Sequence, residues 1–534
     1  MNLKPFAVAA LAVVLSQVDA RGQSISKGNQ LLINNGIQIQ GLVNKDDPFH
    51  LDTYKAANYT SVIYEWDSNV SQLGAAPGFA WSRWVRNQGE TPPLGAESQY
   101  LDSLVTLQLG DEPNLNDDAT RTTIVNWYNA VRANFPNTIL YTNNYGGQVS
   151  DGPLGDFVSR AKPDMITFDT YPYQPGAMPL GGSPTNWYGD LRRYRVHAAA
   201  GNIPFGSYRE TYHASDGRDP SESEFKLNTF GALAFNAKTL IDFTYNKGST
   251  SFFAGPGDTN PNQRYTWLQN VNKEVRNLGP ALTRLKPLNP NTDGGSATTD
   301  VMFIKGKHTN SSTFNSIPIG FAQDAESADA TVWTPDVNDP YLRGWVVKNQ
   351  QLDGTPGTKN NGLNGDVIIA WFRPLDESFD GPNFNNEIYM MVVNGLSDMN
   401  GSSAECHQQI KLNFLNSFSQ ITVLDPVTGQ LVDQTLPIVS TRRQLTLELD
   451  GGDVALFKFK DGAPFVGVPE PAMLSLLSLA PLLLRRASRK DGQKQIGHPS
   501  LLTSSVRDKR EPCGKMHGHQ CILHANAMDG DGRF

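Results

Sequence analysis

Apolar residues in the first half of the chain recur in short runs, and most runs are followed by a polar turn and then by a helical pattern. Short apolar runs of this kind are typical of strands that are buried on both faces of a parallel sheet. The helical spacing is clearest at 119–135, where Ile124, Trp127, Tyr128 and Val131 repeat at i, i+3, i+4 and i+7. The pattern predicts eight strands, at 36–43, 60–66, 79–85, 104–109, 137–143, 163–169, 204–208 and 239–245, and helices at 50–58, 119–135, 187–199, 221–237 and 263–278.

The alternation of strands with helices within residues 24–290 predicts an α/β fold built on a parallel sheet. Eight such units in a segment of this length have the size of a (β/α)8 TIM barrel. In that fold the active site lies at the carboxyl ends of the strands, in the loops that lead to the following helices. Polar and aromatic residues of this chain concentrate at those ends, which favours the barrel.

Between residues 298 and 460 the apolar pattern changes to strict alternation. A period of two is typical of strands with one buried face. Asp-Pro-Val-Thr-Gly at 425–429 and Asp-Gly-Gly at 450–452 are typical of turns. The segment therefore predicts an antiparallel β-sandwich, with strands at 366–372, 387–393, 409–414, 420–424, 444–449 and 454–459.

Residues 1–20 have the order of a secretory signal peptide. A short start that contains Lys4 precedes an apolar stretch at 6–15, and Val18-Asp-Ala20 fits a small-x-small cleavage site. We expect cleavage after Ala20 and export of the remaining chain through the inner membrane.

Residues 468–486 resemble the bacterial PEP-CTERM sorting signal. A Pro-Glu-Pro motif at 469–471 directly precedes an apolar run at 473–484 and the pair Arg485-Arg486. The resemblance implies recognition by a membrane exosortase, removal of the tail, and secretion or attachment at the cell surface. We interpret the run as a membrane segment, although it is short for a transmembrane helix, which needs about 20 residues. The polar tail at 487–534 lacks apolar periodicity, and we expect it to be disordered.

Charge and cysteine content narrow the possible functions. The 534 residues carry a net charge of −8, which argues against a nucleic-acid partner because phosphate binding needs a basic surface. The three cysteines do not suggest a disulfide framework, and we expect Cys406 to be a lone buried thiol. The barrel segment has no His pair at metal-ligand spacing and no phosphate-binding glycine motif, so the sequence predicts neither a metal nor a cofactor.

Carboxylates follow two of the predicted barrel strands. The run at 104–109 leads into Gly110-Asp-Glu-Pro113, and the run at 204–208 leads into Arg209-Glu210. Two facing carboxylates are the minimum equipment for breaking a glycosidic bond, because one protonates the leaving oxygen and the other attacks the sugar or activates water. The sequence therefore predicts a glycosidase site.

With Glu112 after the fourth strand and Glu210 after the seventh, the barrel resembles the retaining glycoside hydrolases of clan A. That clan places its acid/base glutamate and its nucleophile at those two strand ends. The resemblance covers roughly residues 36–278 and includes the dipeptide Glu112-Pro113. It implies that Glu112 is the acid/base, that Glu210 is the nucleophile, and that the substrate is a polysaccharide or an oligosaccharide.

Asp111 departs from that pattern, because the clan usually has an Asn there to hold the sugar 2-hydroxyl. An adjacent Asp-Glu pair also occurs in barrel hexosaminidases that use substrate assistance. There the substrate acetamide is the nucleophile, the Asp orients it and the Glu is the acid, so Glu210 would only bind the substrate. A third interpretation is a non-catalytic carbohydrate-binding protein of the cell surface, since a fold does not imply a function.

Other residues at or near the strand ends are candidates for holding the sugar. Amides and phenols can hydrogen-bond to hydroxyls, and aromatic faces can stack on sugar rings. The candidates are Asp111, Asn143, Asn144, Tyr171, Tyr173, Tyr212, Tyr245, Trp66 and Trp187. Arg209 could lower the pKa of Glu210, but neighbours on a strand point to opposite faces, so we expect Arg209 to point away.

Overall fold

The computed structural model describes residues 25–44, 47–64, 70–85, 89–90, 95–173, 184–212, 219–246, 252–288, 301–306, 322–324, 327–329, 342–375, 387–416, 419–459 and 464–468. The predicted signal peptide at 1–20, Trp66, the apolar run at 473–484 and the tail at 487–534 lie outside these residues. Among the residues that are described, no helix has both the length and the apolar character that crossing a membrane requires. Cys406 is a buried free thiol, as expected.

Eight parallel strands form a closed barrel in the order of the sequence, which confirms the predicted TIM-barrel class. The strands are β1 (Gln38–Val43), β2 (Ser61–Tyr64), β3 (Trp81–Val85), β4 (Leu104–Asp111), β5 (Ile139–Tyr145), β6 (Ile166–Asp169), β7 (Phe205–Glu210) and β8 (Ala237–Phe243). Strand β1 pairs with both β2 and β8, which closes the sheet. All carboxyl ends therefore meet at one end of the barrel, here called the mouth.

The helices are α1 (Lys27–Asn35), α2 (Leu51–Ala56), α3 (Val70–Ala75), α4 (Asp118–Val131), α5 (Asp151–Ala161), α6 (Pro184–Ala200), α7 (Glu222–Ala234) and α8 (Gln263–Leu282). The sequence pattern did not predict α1, α3 or α5. Helix α5 contains two glycines and a proline, which are poor helix formers, so its local propensity is weak. Its buried residues Leu154, Phe157, Val158 and Ala161 face the core, and this tertiary packing stabilises the helix.

Polar side chains fill one layer of the barrel interior. The amide of Gln40 donates to the hydroxyls of Ser61, Ser82 and Thr106 at 2.9, 2.7 and 3.3 Å. Thr106 in turn donates to Ser82 at 2.7 Å. Buried amides and hydroxyls are stable in an interior only when they are hydrogen-bonded, and the Gln40 amide nitrogen and these hydroxyls meet that condition through neighbouring strands. The buried side-chain oxygen of Gln40 has no hydrogen-bond partner among the described residues.

A second layer lies nearer the mouth. The side-chain oxygen of Gln108 accepts hydrogen bonds from the phenols of Tyr141 and Tyr208, at 3.0 and 2.9 Å. Leu42 and Ile63 belong to the same interior cluster. Gln108 thus joins β4 to β5 and β7 directly beneath the mouth.

A buried ion pair lies on the outer surface of the barrel, under the helices. Arg209 donates from Nε and Nη2 to the two carboxylate oxygens of Asp242, at 2.6 and 2.9 Å, and neither side chain is exposed. Arg209 also donates to Asn272 and Thr229. Tyr59 hydrogen-bonds to Asp242, and burial raises the pKa of that carboxyl. This cluster ties β7 and β8 to α7 and α8.

Among the described residues, thirteen further strands follow the barrel, and they form two sheets that confirm the predicted sandwich. The strands are β9 (Leu285–Pro287), β10 (Val301–Lys305), β11 (Ala322–Asp324), β12 (Ser327–Asp329), β13 (Leu342–Asn349), β14 (Val367–Pro374), β15 (Tyr389–Asn394), β16 (Gln408–Phe414), β17 (Gln420–Leu424), β18 (Leu431–Thr435), β19 (Ile438–Val439), β20 (Arg442–Leu449) and β21 (Val454–Phe459). One sheet has the order β11-β10-β14-β15-β21-β17-β18, with β9 on β14, and the other has the order β12-β13-β16-β20-β19. Residues from both sheets, including Trp345 and Trp371, share one core.

The sandwich packs on helix α7 of the barrel. Phe303 and Met391 of the sandwich share a hydrophobic cluster with Phe230 of α7. At the start of the helix, Lys226 forms an ion pair with Asp453 at 2.6 Å. The hydroxyls of Ser221 and Ser223 donate to the backbone oxygen of Asp398 at 2.7 and 3.3 Å. Apolar contacts and hydrogen bonds therefore hold the same helix against the sandwich.

The buried pair between Arg209 and Asp242 generates a stability prediction. Asp242→Asn leaves the Arg209 charge in the interior without its carboxylate, so the free energy of unfolding is expected to fall by about 3–5 kcal/mol. Asp118→Asn is the matched control, because Asp118 is 73% exposed in its ion pairs and its loss is expected to be about 0–1 kcal/mol. Urea unfolding at neutral pH measures both losses. Equal losses for the two variants would contradict the prediction.

Candidate active site

A glycine bulge at the end of β4 directs Asp111 into the mouth. Gly110 has φ +79°, and the register between β4 and β5 shifts between Gln108 and Asp111. A Cβ on Gly110 would lie 3.7 Å from the Trp127 ring of α4, so this position faces the helices. The extra residue resets the alternation along the strand. Asp111 consequently points to the same side as Gln108, into the barrel.

Two amide groups hold the Asp111 carboxylate. Its Oδ1 accepts from Gln108 Nε2 and from Asn143 Nδ2, both at 3.0 Å. Asp111 is nevertheless exposed at the open end of the barrel. Hydrogen bonds to an ionised acceptor are stronger than neutral ones, so the two amides fix the orientation of this carboxylate. The arrangement leaves an oriented acceptor at the mouth.

Glu112 follows in a left-handed backbone conformation. Its φ is +44°, which is uncommon for a residue other than glycine or asparagine. Its backbone N–H donates to the carbonyl oxygen of Asn143 at 2.9 Å, which anchors the turn to β5. The side chain is exposed and hydrogen-bonds to Asp169 at the end of β6.

Asp169 keeps its proton next to Glu112. Burial raises the pKa of Asp169 well above its usual value, and the nearby charges of Glu112 and Asp111 raise it further. Asn143 hydrogen-bonds to Asp169 and opposes part of that rise. Ionised Asp169 would place another negative charge beside Glu112 and Asp111, so Asp169 retains its proton at a pH where an isolated carboxyl would have lost it.

Glu210 ends β7 in a buried position. It is 1% exposed, and its Oε2 accepts from the backbone N–H of Tyr173 at 2.9 Å. Its own N–H donates to the side-chain oxygen of Asn228 on α7 at 3.1 Å. The neighbouring Arg209 points to the opposite face and binds Asp242, as the alternation predicted. One carboxylate oxygen of Glu210 is thus held by a backbone donor.

Three aromatic rings lie together at the mouth. The ring centroids of Tyr171 and Tyr212 are 5.3 Å apart, and both rings contact Phe243 at the end of β8. Burial raises the pKa of the Tyr171 phenol, and the charge of Asp169 raises it further. Tyr171 therefore lies between the carboxyl pair of β4 and β6 and the rings of β7 and β8.

The structure brings together only some of the predicted sugar-binding residues. Asp111, Asn143, Tyr171 and Tyr212 meet at the mouth. Tyr173 contributes its backbone N–H to Glu210, but its phenol donates to the carbonyl oxygen of Glu224 on α7 at 2.9 Å.

The other predicted residues lie apart from this cluster. Asn144 lies near Tyr194 of α6, on the helix side of β5, and its amide donates to the backbone oxygen of Thr167 at 3.1 Å. Trp187 is buried within α6, where its ring lies beside Gly231 of α7. Tyr245 is buried against Tyr54, with ring centroids 4.7 Å apart. Trp66 lies outside the described residues.

Two residues of the site were not among the sequence candidates, although their positions carry a signal. Asp169 ends β6 two residues after Thr167, whose hydroxyl hydrogen-bonds to the inward-facing Asn143 at 3.3 Å. Gln108 precedes Asp111 on β4 and holds its carboxylate. Side chains alternate between the two faces of a strand, so counting in steps of two from the polar residues that face the interior would have placed Gln108 and Asp169 on the inward side.

No described group of three or more His, Cys, Asp or Glu residues could hold a metal ion. The acids at the mouth are held by amides and by each other. The chemistry that this arrangement can perform is proton transfer and carboxylate attack.

No protein-family model and no curated protein matches the chain. Solved structures that resemble it include a GH2 beta-galacturonidase from Eisenbergiella tayi bound to galacturonate, at 12% identity and a TM-score of 0.32. The match covers 46% of this chain and 52% of the galacturonidase, so this chain spans about half the length of that enzyme. An alfa-galactosidase from Saccharomyces cerevisiae with raffinose matches at 10% identity and a TM-score of 0.39, over 82% of this chain and 99% of that one. An endo-beta-1,4-mannanase from Thermotoga petrophila matches at 11% identity and a TM-score of 0.32, over 68% and 96%.

The raised pKa of Asp169 generates a pH prediction. Because the pKa of Asp169 is higher in the folded chain than its unfolded value of about 3.9, the native state binds more protons above about pH 4. The contribution of Asp169 to the free energy of unfolding is therefore lost as the pH rises above about 4. Asp169→Asn removes the titration, so its stability relative to the native chain is expected to increase from pH 4 to pH 7, as measured by urea unfolding.

Asp117→Asn is the control for this measurement. Asp117 caps α4, and its hydrogen bonds with Thr120 lower its pKa. The linkage then has the opposite sign and lies at lower pH, so the relative stability of Asp117→Asn is expected to fall as the pH rises toward about 4 and to change little from there to pH 7. A stability difference for Asp169→Asn that does not change with pH would show that this carboxyl does not retain a proton.

Proposed function

We propose that this protein is an exported glycoside hydrolase that cleaves O-glycosidic bonds of a polysaccharide or an oligosaccharide. In this proposal Glu112 is the general acid/base and Glu210 is the nucleophile. The observation that carries the proposal is the carboxyl pair at the mouth, in which exposed Glu112 hydrogen-bonds to the proton-retaining Asp169. Glu210 follows β7 at the same end of the barrel.

Glu112 is suited to donate a proton to a leaving group. A general acid must be protonated at the working pH and must also reach the departing oxygen. Asp169, whose pKa is raised by burial, holds a proton next to Glu112, and the exposed position of Glu112 gives it access to a substrate at the mouth. After the leaving group departs, the same carboxylate can accept a proton from the water that releases the sugar.

Glu210 is suited to act as the carboxylate that attacks the sugar. The backbone N–H of Tyr173 holds one of its oxygens, and Asn228 fixes the backbone of the same residue. A nucleophile that is held in this way loses little freedom when it reacts, which lowers the entropic part of the barrier. Its burial also limits competing hydration of the carboxylate.

The remaining groups at the mouth are suited to bind the sugar. Asp111 presents an oriented acceptor for a hydroxyl, and Asn143 lies beside it at 3.0 Å. The Tyr171 and Tyr212 rings offer apolar faces of the kind that sugar rings stack on. A carbohydrate is therefore the partner that we propose, and no nucleic acid or metal is part of this proposal.

A substrate-assisted hexosaminidase is the second candidate, and one observation favours it. The glycine bulge and two amide donors orient the Asp111 carboxylate into the mouth, directly beside Glu112. A carboxylate in that position can accept a hydrogen bond from a substrate acetamide N–H and align its oxygen for attack. Glu112 would again be the acid, and Glu210 would take no covalent part.

Turnover by single variants tests the proposal and separates the two candidates. Glu112→Gln is expected to lower kcat by about 10²–10⁴-fold on oligosaccharides, because proton donation is lost. The loss is expected to be smaller on nitrophenyl glycosides, whose leaving group needs little protonation. Glu405→Gln, an exposed residue of the sandwich, is the matched control and is expected to keep native activity.

Glu210→Ala and Asp111→Asn complete the test. With Glu210 as the nucleophile, Glu210→Ala loses turnover, and sodium azide restores it by attacking the sugar in place of the carboxylate. With substrate assistance, activity is confined to N-acetylhexosaminides, Asp111→Asn loses it and Glu210→Ala largely keeps it. Native protein that binds oligosaccharides without releasing product would overturn both candidates in favour of a binding protein.

Export is proposed from the two terminal segments. The signal-like residues 1–20 and the PEP-CTERM-like residues 468–486 support transport through the inner membrane and processing by an exosortase-type enzyme. We expect mass spectrometry of the exported protein to show a new N-terminus at Arg21 and loss of the apolar run at 473–484. Full-length protein that stays inside the cell would contradict this expectation.

A further inference from the structure

A cationic cavity lies at the amino-terminal end of the barrel, opposite the mouth. It has a volume of about 120 Å³, and Phe205 at the start of β7 and Lys238 near the start of β8 line one side. Lys286 of β9 and Arg373 of β14, from the sandwich, line the other side, and Arg195 of α6 completes it. Every charged side chain among the described residues that line the cavity is cationic.

Two of these cations are almost completely buried. Lys238 is 1% exposed and Arg195 is 2% exposed. The Lys238 ammonium donates to the side-chain oxygen of Asn29 and to the carbonyl oxygen of Thr283, both at 3.3 Å, and both acceptors are uncharged. Burial lowers the pKa of Lys238 to about 7, and the charge of Lys286 lowers it further. A buried ammonium is costly unless an opposite charge accompanies it.

The sandwich presents its two cations side by side. Strands β9 and β14 are antiparallel, and Lys286 lies directly opposite Arg373 in their register. Like charges that face each other across neighbouring strands destabilise a sheet. Lys238 and Arg195 add their charges from the barrel side of the same cavity. The fold thus concentrates four cationic side chains where the barrel and the sandwich meet.

We propose that this cavity binds a small tetrahedral oxyanion, inorganic phosphate or sulfate, between the barrel and the sandwich. Such an ion offers several acceptor oxygens, which suits ammonium and guanidinium donors that converge from different elements. The cavity is small enough to enclose a single ion. The bound ion offsets the repulsion among the four cations and joins strands β8, β9 and β14, so its effect is on the attachment of the sandwich and not on the mouth.

Anion binding in this cavity is linked to protonation of Lys238, which makes the affinity depend on pH. A bound anion favours the charged form of Lys238, so binding takes up a proton when Lys238 is neutral beforehand. The charged groups that line the cavity with Lys238 are Arg195, Lys286 and Arg373, and the Lys238 ammonium donates to Asn29 and Thr283. Sulfate does not titrate between pH 6 and pH 9, so its Kd is expected to rise as the pH increases from 7 to 9, by up to about tenfold per pH unit.

Thermal unfolding and calorimetric titration with sodium sulfate test the proposal. At constant ionic strength set with sodium chloride, sulfate is expected to raise the Tm in a saturable way, by about 3 °C at a hundredfold excess over Kd. Lys238→Met is expected to abolish both the shift and the heat of binding. The same variant is expected to be as stable as the native chain, or more so, without sulfate, because it removes a buried charge.

Arg373→Gln serves as a second variant if Lys238→Met does not fold, and it is expected to weaken sulfate binding at least tenfold. Lys411→Gln on β16 of the other sheet is the control, because it makes the same change in net charge away from the cavity. Sulfate and phosphate also stabilise proteins by exclusion from their surfaces. A sulfate shift that does not saturate, or that is equal in Lys238→Met and Lys411→Gln, would overturn the proposal.

The titration also distinguishes the source of the anion. Binding of phosphate and sulfate without binding of glucose 6-phosphate would assign the cavity to a free ion. Glucose 6-phosphate that binds as tightly as phosphate, and that Lys238→Met no longer binds, would assign it to a phosphoryl group on a larger molecule. Failure of all three ligands to bind would overturn the site, and none of these outcomes depends on turnover at the mouth.

Discussion

The alternation of side chains along the barrel strands determines which residues reach the mouth, and a single glycine interrupts it at the end of β4. Without the bulge at Gly110, the residue after Leu109 would face inward and Asp111 would face the helices. With it, Asp111 points inward and Glu112 stands at the rim. The hydrogen bonds from Gln108 and Asn143, and the contact between Glu112 and Asp169, all depend on this one-residue shift.

The opposite ends of the barrel use burial in opposite ways. At the mouth, burial and neighbouring acids keep a proton on a carboxyl group that would otherwise be ionised. At the amino-terminal end, burial and neighbouring cations favour loss of a proton from Lys238. Both effects arise because a charge is less stable away from water and next to its own sign. Glu112 reaches the exposed rim at one end, whereas Lys238 is enclosed at the other.

The barrel class was predictable because strand and helix periods differ clearly in the sequence, and the positions of Glu112 and Glu210 followed from the order of the strands. The alternation along β7 correctly predicted that Arg209 points away from Glu210, but the side that each neighbour faces was not predicted on β5. Asn143 and Asn144 have the same chemistry, but the phase of β5 turns one inward and the other toward α6. Helix α5 was also missed, since long-range packing stabilises it while two glycines and a proline weaken its local helix propensity. Strand β13 (Leu342–Asn349) was missed although its Trp345-Val-Val347 run has high strand propensity.

Helix α7 has a consequence for the modular character of the chain. One end of this helix is bound to the sandwich through Ser221, Ser223 and Lys226. Farther along, Asn228 of the same helix holds the backbone of Glu210. The sandwich therefore supports the barrel through α7. It cannot be exchanged for another accessory domain during evolution unless the replacement contacts the same face of that helix.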